Sequence, residues 1–272
     1  MIPIDSFSRT YRLKAYCVFG AALLILLLRF IGHGAFHSLH GTSPLLKESE
    51  LFYRLFVASK VPLLLAEDSP IAWAFDIALL ALPVLFILTL NRWLAVAFTF
   101  SLLLYFFTFN VVTGHHYHGL IGALIISTPF WIKDETRFNL LWRGVRYYLL
   151  YIFVSAALWK IFRGSVFYTE QMSNILKAQQ LSLLLQSPDC WRAHFIQYLI
   201  ANPPVAHWVL IVNVLVQLSF AIAFFTKRFD WLLLALMLVF CVGNYFVMSI
   251  VSGELLILGL ALVSWDRFAG NK

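Results

Sequence analysis

An all-α fold, a polytopic integral membrane helical bundle of about eight transmembrane helices with interfacial helices on the non-cytoplasmic side, is predicted by three observations. Hydrophobic residues make up 61% of the chain and charged residues only 12%, against about half and a quarter in a soluble domain. The apolar residues gather into segments long enough to cross a bilayer, and the mean hydropathy is +0.83. Lys and Arg sit in alternate connections between those segments. No polar stretch is long enough for a separate soluble domain, so residues 1–272 read as a single membrane domain.

Taken in order, the spans fall at roughly 15–32, 71–90, 92–112, 118–132, 144–162, 206–226, 230–250 and 253–265. The first follows Arg9, Arg12 and Lys14 as a signal peptide would. No small-x-small cleavage site follows, and Arg29 interrupts its end, so it is expected to stay as an anchor helix. The fourth and eighth are short. Segments 33–70 and 163–205 mix apolar with polar residues, as in "LFYRLFVASKVPLLLAEDSP", and read as interfacial helices and loops. Pro188, Pro203 and Pro204 end helical runs there.

Eight spans place every short Lys/Arg-bearing segment on one side. These are Arg9, Arg12 and Lys14; Arg92; Lys133, Arg137, Arg143 and Arg146; Lys227 and Arg228; and Arg267 and Lys272. The alternate loops at 113–117 and 251–252 carry none. The positive-inside rule then sets both termini in the cytoplasm, and an odd number of spans breaks the pattern. The expected location is a bacterial inner membrane, with membrane lipids as surroundings. The same distribution accounts for the net charge of +7 without nucleic acid, since no basic run exists. Cys17 and Cys241 lie in apolar segments and Cys190 in a polar loop, with no CxxC spacing and no disulfide framework.

Polar groups inside a membrane are costly, so their positions are informative. Under this topology they collect in the non-cytoplasmic half. Asp76 lies in the outer third of span two, Asn110 ends span three, and Lys160 and Arg163 sit at the outer end of span five. Asn244 and Ser249 lie in the outer half of span seven, and Glu254 opens span eight. Asn213 and Gln217, one turn apart, share a face of span six. This asymmetry predicts a polar pocket opening outward. Each residue also has a plainer role: Lys160 as a snorkelling cation beside Trp159, Asp76 and Glu254 as interface charges, Asn213 and Gln217 as interhelical hydrogen-bonding groups.

The stretch "FNVVTGHHYHGLIGALII" places His115, His116 and His118 around Tyr117 at the outer start of span four. Three readings stand: a polar cap, a ligand- or proton-handling site, or a metal site. His115 and His118, three apart, would share a helix face, with His194, His207 or Glu254 as further ligands. No HExxH motif or Cys pair accompanies them, so no metal is assigned. A bis-histidine haem site lacks a partner at matched depth.

"TGHHYHGLIGAL", then a positive loop, then "YIFVSAALWKIFRGSVFYTEQM" resembles the membrane part of vitamin K-dependent gamma-carboxylases and their bacterial HTTM relatives. His115 and Tyr117 match an N-H-x-Y motif with Gly114 at the Asn position, and Ser155, Ala156, Ala157 and Lys160 match a small-residue helix followed by a lysine. Where that family often has a Phe-His pair, this chain has Phe240 and Cys241. The layout is similar over about residues 8–268. The resemblance implies a reduced quinone as cofactor, oxidised with O₂, with Lys160 as the base that deprotonates it and His115 bonding a quinone oxygen. Together with the outer polar residues placed above, His116, Tyr117, His118, Arg163, Asn244, Glu254 and Asp76 are the expected surrounding binding residues. A lysine acts as a base only when burial or a nearby cation favours its neutral form, and Arg163 is the candidate cation. The missing Phe-His histidine and an end soon after span eight make the expectation a membrane core rather than a propeptide-reading protein carboxylase.

Three functions follow. The leading one is a quinone- or lipid-binding membrane protein acting as an oxidoreductase. The second is a non-catalytic membrane subunit or maturation partner, with a protein partner, of DoxX-like or MauE-like type. The third is a metal-binding membrane protein.

Overall fold

The computed structural model describes residues 8–32, 34–39, 51–65, 69–113, 121–250 and 252–269. Helices dominate, and no strand occurs among the described residues. In order they are α1 (Arg9–Ile31), α2 (Leu51–Ala58), α3 (Val61–Leu65), α4 (Pro70–Thr89), α5 (Arg92–Thr113), α6 (Ile121–Ser127), α7 (Glu135–Phe162), α8 (Gln171–Gln179), α9 (Leu181–Gln186), α10 (Trp191–Ala201), α11 (Pro203–Ser219), α12 (Asp230–Met248), α13 (Gly253–Gly259) and α14 (Trp265–Ala269).

Among the described residues, six helices are long and apolar enough to cross a membrane: α1, α4, α5, α7, α11 with its 3₁₀ extension to Phe224, and α12. This makes the chain a multi-pass helical membrane protein. The fourth expected span is a shorter apolar helix, Ile121–Trp131, and the eighth is α13 continued by a 3₁₀ turn, Leu260–Leu262. The fifth starts earlier than expected, because Glu135–Arg143 is helical although too polar to enter a hydropathy window.

The chain falls into two compact units, Met1–Arg143 with Ser264–Lys272, and Gly144–Val263. In the first, Ser8 caps α1 by accepting from the Tyr11 amide. The stripe Ala15, Val18, Phe19, Ala22 and Leu26 is buried. Phe19 meets Phe86 at 4.0 Å and Phe130 at 5.3 Å between ring centroids, so this core is largely aromatic. Lys14 is buried among Phe138 and Trp142, 5.2 and 4.9 Å from their centroids. Ser69 and Pro70 begin α4, and Leu90 ends it in the left-handed region at φ 50°.

In the second unit, Ala157, Met172, Leu176, Ile196, Leu199, Ala206, Leu210 and Val214 form a core shared by α7, α8, α10 and α11. Phe153 stacks on Phe220 at 4.1 Å and meets Phe240 edge-on at 5.2 Å. Gly259 is packed so closely that a Cβ there would lie 2.1 Å from Met237 Cε. A buried ion pair fixes one end: Arg146 Nε and Nη2 donate to Asp230 at 2.8 and 2.7 Å, and Nη2 also donates to the Ala223 carbonyl at 2.8 Å.

Candidate functional site: a cavity between α7, α8, α11 and α12

The second unit contains a cavity of about 370 Å³, near the lower end of the roughly 300–1,000 Å³ usual for small-molecule sites. Its α11 wall is Val209, Val212, Asn213 and Val216, an i, i+3, i+4, i+7 set that puts all four on one face. Its α12 wall is Val239, Phe240, Gly243, Asn244 and Val247, set by the same periodicity. Met172 and Ile175 of α8 close another side.

Four polar side chains converge on this apolar space: Lys160, Asn213, Gln217 and Asn244. Lys160 Nζ donates to Gln217 Oε1 at 2.8 Å and to the Ala156 carbonyl at 3.5 Å. Asn213 Nδ2 donates to Asn244 Oδ1 at 3.4 Å. Gln217 is buried and Lys160 half-buried. These contacts leave the Gln217 and Asn244 amide N–H groups and one ammonium proton able to donate. Such a wall is complementary to oxygen acceptors.

Lys160 and Asn244, both singled out in the sequence, therefore line one cavity. Asn213 and Gln217 do bond between helices and also line it. Phe240, at the position of the expected Phe-His pair, lines it too, while Cys241 is buried. Arg163 is exposed, with its guanidinium carbon 4.4 Å from the Trp159 ring centroid, and it does not line the cavity.

Asp76 belongs to the other unit. There its two carboxylate oxygens accept from the Phe36 and His37 amides at 3.0 and 3.1 Å and from His37 Nδ1 at 2.8 Å. The His37 ring stacks on Trp73 at 3.7 Å. Asp76 thus anchors the Phe36–Ser38 turn to α4. His115, His116, Tyr117 and His118, and the Glu254 side chain, lie outside the described residues. Among the described residues no three His, Cys, Asp or Glu side chains gather as a metal site.

Sequence reading missed a polar clamp at the end of α12. Arg192 donates to the Phe246 and Tyr245 carbonyls at 2.8 and 3.1 Å and to Ser249 Oγ. Gln180 Nε2 donates to the Val247 carbonyl at 3.1 Å, and Ser249 Oγ donates to Gln180 Oε1 at 3.0 Å. The prior signal was slight: Ser249 lies at a span end, but nothing in the sequence points Arg192 at it.

Comparison with family models, curated proteins and solved structures gives no match to this chain.

Proposed function

We propose that this protein is a bacterial inner-membrane protein, built like the membrane core of the carboxylase-like HTTM group, that binds a quinone or similar lipid in the α7/α8/α11/α12 cavity and acts there as an oxidoreductase. The observation that carries the proposal is the convergence of Lys160, Gln217, Asn213 and Asn244 on an otherwise apolar cavity. A quinone head fits that donor set: its oxygens would meet the free Gln217 and Asn244 N–H groups, and its ring would lie among Val216, Val239 and Phe240. When bound, a quinone supplies two-electron, two-proton redox chemistry. The chain's part is to orient the head, keep water out and hold a proton at Lys160 Nζ. The proposed topology has eight crossings with both termini in the cytoplasm, the two short segments completing the count.

A non-catalytic partner role is the second reading. It is favoured by the Lys160–Gln217 bond, since a charged lysine held by an amide also serves as interhelical glue. Mass spectrometry of lipids extracted from the purified protein tests the binding. A stoichiometric quinone supports it, and its loss in a Lys160→Met, Gln217→Leu double variant places it in this cavity. Purification with no lipid beyond the bulk membrane composition argues against it.

A further inference from the structure

We infer that this cavity is loaded sideways from the bilayer, through the gap between α11 and α12, by a membrane-dissolved amphiphile that brings an acceptor-bearing head to Lys160 and Gln217 and leaves its tail among the lipids. The inference rests on the binding proposed above and adds the route and the shape of the ligand.

The exposure of the lining residues gives the route. On the α11 and α12 walls, Val212 is 56% exposed and Val239 67%. Gly243 is exposed, and a Cβ there would meet nothing within 4 Å. Leu210 and Gln217, which also line the cavity, are buried. The cavity thus runs from an apolar outer rim on two membrane-crossing helices to a polar inner wall. Gly243 acts as a notch, since a larger residue at this position would fill the rim.

Packed side chains line two other sides. Toward one end, Phe240 packs on Phe153, which stacks on Phe220, so three rings form a floor. Toward the other, Met172 and Ile175 of α8 cover the space. The Arg192–Ser249–Gln180 clamp there fixes the end of α12 that carries Val247 and Met248 of the lining. A ligand in the bilayer meets an apolar rim of Val212, Val239, the bare Gly243 and the half-exposed Ile250. The volume sets the shape: about 370 Å³ holds a head group and a short stem, but not a long acyl or prenyl chain as well.

The full chain in phosphatidylcholine/phosphatidylglycerol vesicles is photolabelled with two probes. One is a palmitic acid analogue with its diazirine beside the carboxylate, and the other is a hydrophilic diazirine acid that stays in water. Adducts are mapped by peptide mass spectrometry. The lipid probe is expected to label Lys160, Asn213, Gln217 and Asn244, and the hydrophilic probe to leave them unlabelled. Val212→Trp and Gly243→Leu are each expected to cut cavity labelling about tenfold, with labelling of exposed Leu88 on α4 unchanged. Gly243→Leu keeps the test valid where the tryptophan disturbs folding, because its Cβ has open space. Cavity labelling by the hydrophilic probe that is insensitive to both substitutions overturns sideways loading and leaves the binding site standing. A cavity reached by neither probe sinks both.

Discussion

The guanidinium of Arg146 directs its bonds at one turn of chain, meeting both carboxylate oxygens of Asp230 and the Ala223 carbonyl while buried. Removing one partner of a buried ion pair strands the other. Asp230→Ala is therefore expected to destabilise the protein by about 3–5 kcal/mol, read as a lower denaturation midpoint in detergent. The double change Arg146→Met, Asp230→Leu should recover much of that loss, because it removes both desolvated charges together. Lys160 poses a different question at the same scale. Arginine keeps the charge and can reach Gln217, but it cannot shed a proton. If Lys160 handles a proton, Lys160→Arg should abolish complementation of the deletion phenotype while the detergent melt stays close to that of the parent. Full complementation by the arginine variant moves the function to the non-catalytic reading. Asp76→Ala should act on stability instead, costing about 1–3 kcal/mol through the unsatisfied Phe36 amide.

For the helices, legibility followed from how local the physics is. α4, α5 and α12 were readable because a bilayer requires about 20 apolar residues in one run, whatever else packs around them. The start of α7 was not, because Glu135–Arg143 is helical but too polar to stand out in a hydropathy window. The cavity was half readable. Lys160 and Asn244 stand out as polar residues in apolar runs, but the notch at Gly243 and the cover from Met172 depend on how helices meet. Arg146 and Asp230 are 84 residues apart, and Arg192 and Ser249 are 57; such pairs exist only once the chain is folded. The end of α12 offers an element-scale test. Arg192→Ala leaves the Tyr245 and Phe246 carbonyls without that donor and leaves Ser249, which sits in the left-handed region at φ 59°, held by Gln180 but no longer by the guanidinium. The expected result is faster hydrogen exchange over 244–250, with exchange over 135–150 unchanged. Equal exchange in both segments would remove the clamp from the account of how this end of α12 is held.

For the whole molecule, the open quantity is which side of the membrane each connection occupies, and the two short segments decide it. Ile121–Trp131 is seven residues of α-helix followed by a 3₁₀ turn, roughly 16–20 Å long against a hydrocarbon core of about 30 Å. It crosses only with local thinning or with help from the residues that precede it. If it turns back instead, Lys133, Arg137 and Arg143 end on the side opposite Arg92, and Lys227 and Arg228 follow them. That arrangement has seven crossings when α13 crosses and six when it too stops short, and either way it scatters the basic residues over both faces, against the bias that orients membrane proteins during insertion. Eight crossings put all of them in the cytoplasm. Reporter fusions after Arg92, Lys133 and Lys227 are therefore expected to read cytoplasmic, and a fusion after Gly114 external. A cytoplasmic signal at Arg92 with external signals at Lys133 and Lys227 would establish that Ile121–Trp131 does not cross. It would also reverse the face on which the Lys160 end of α7 emerges, turning the polar pocket's outward side toward the cytoplasm.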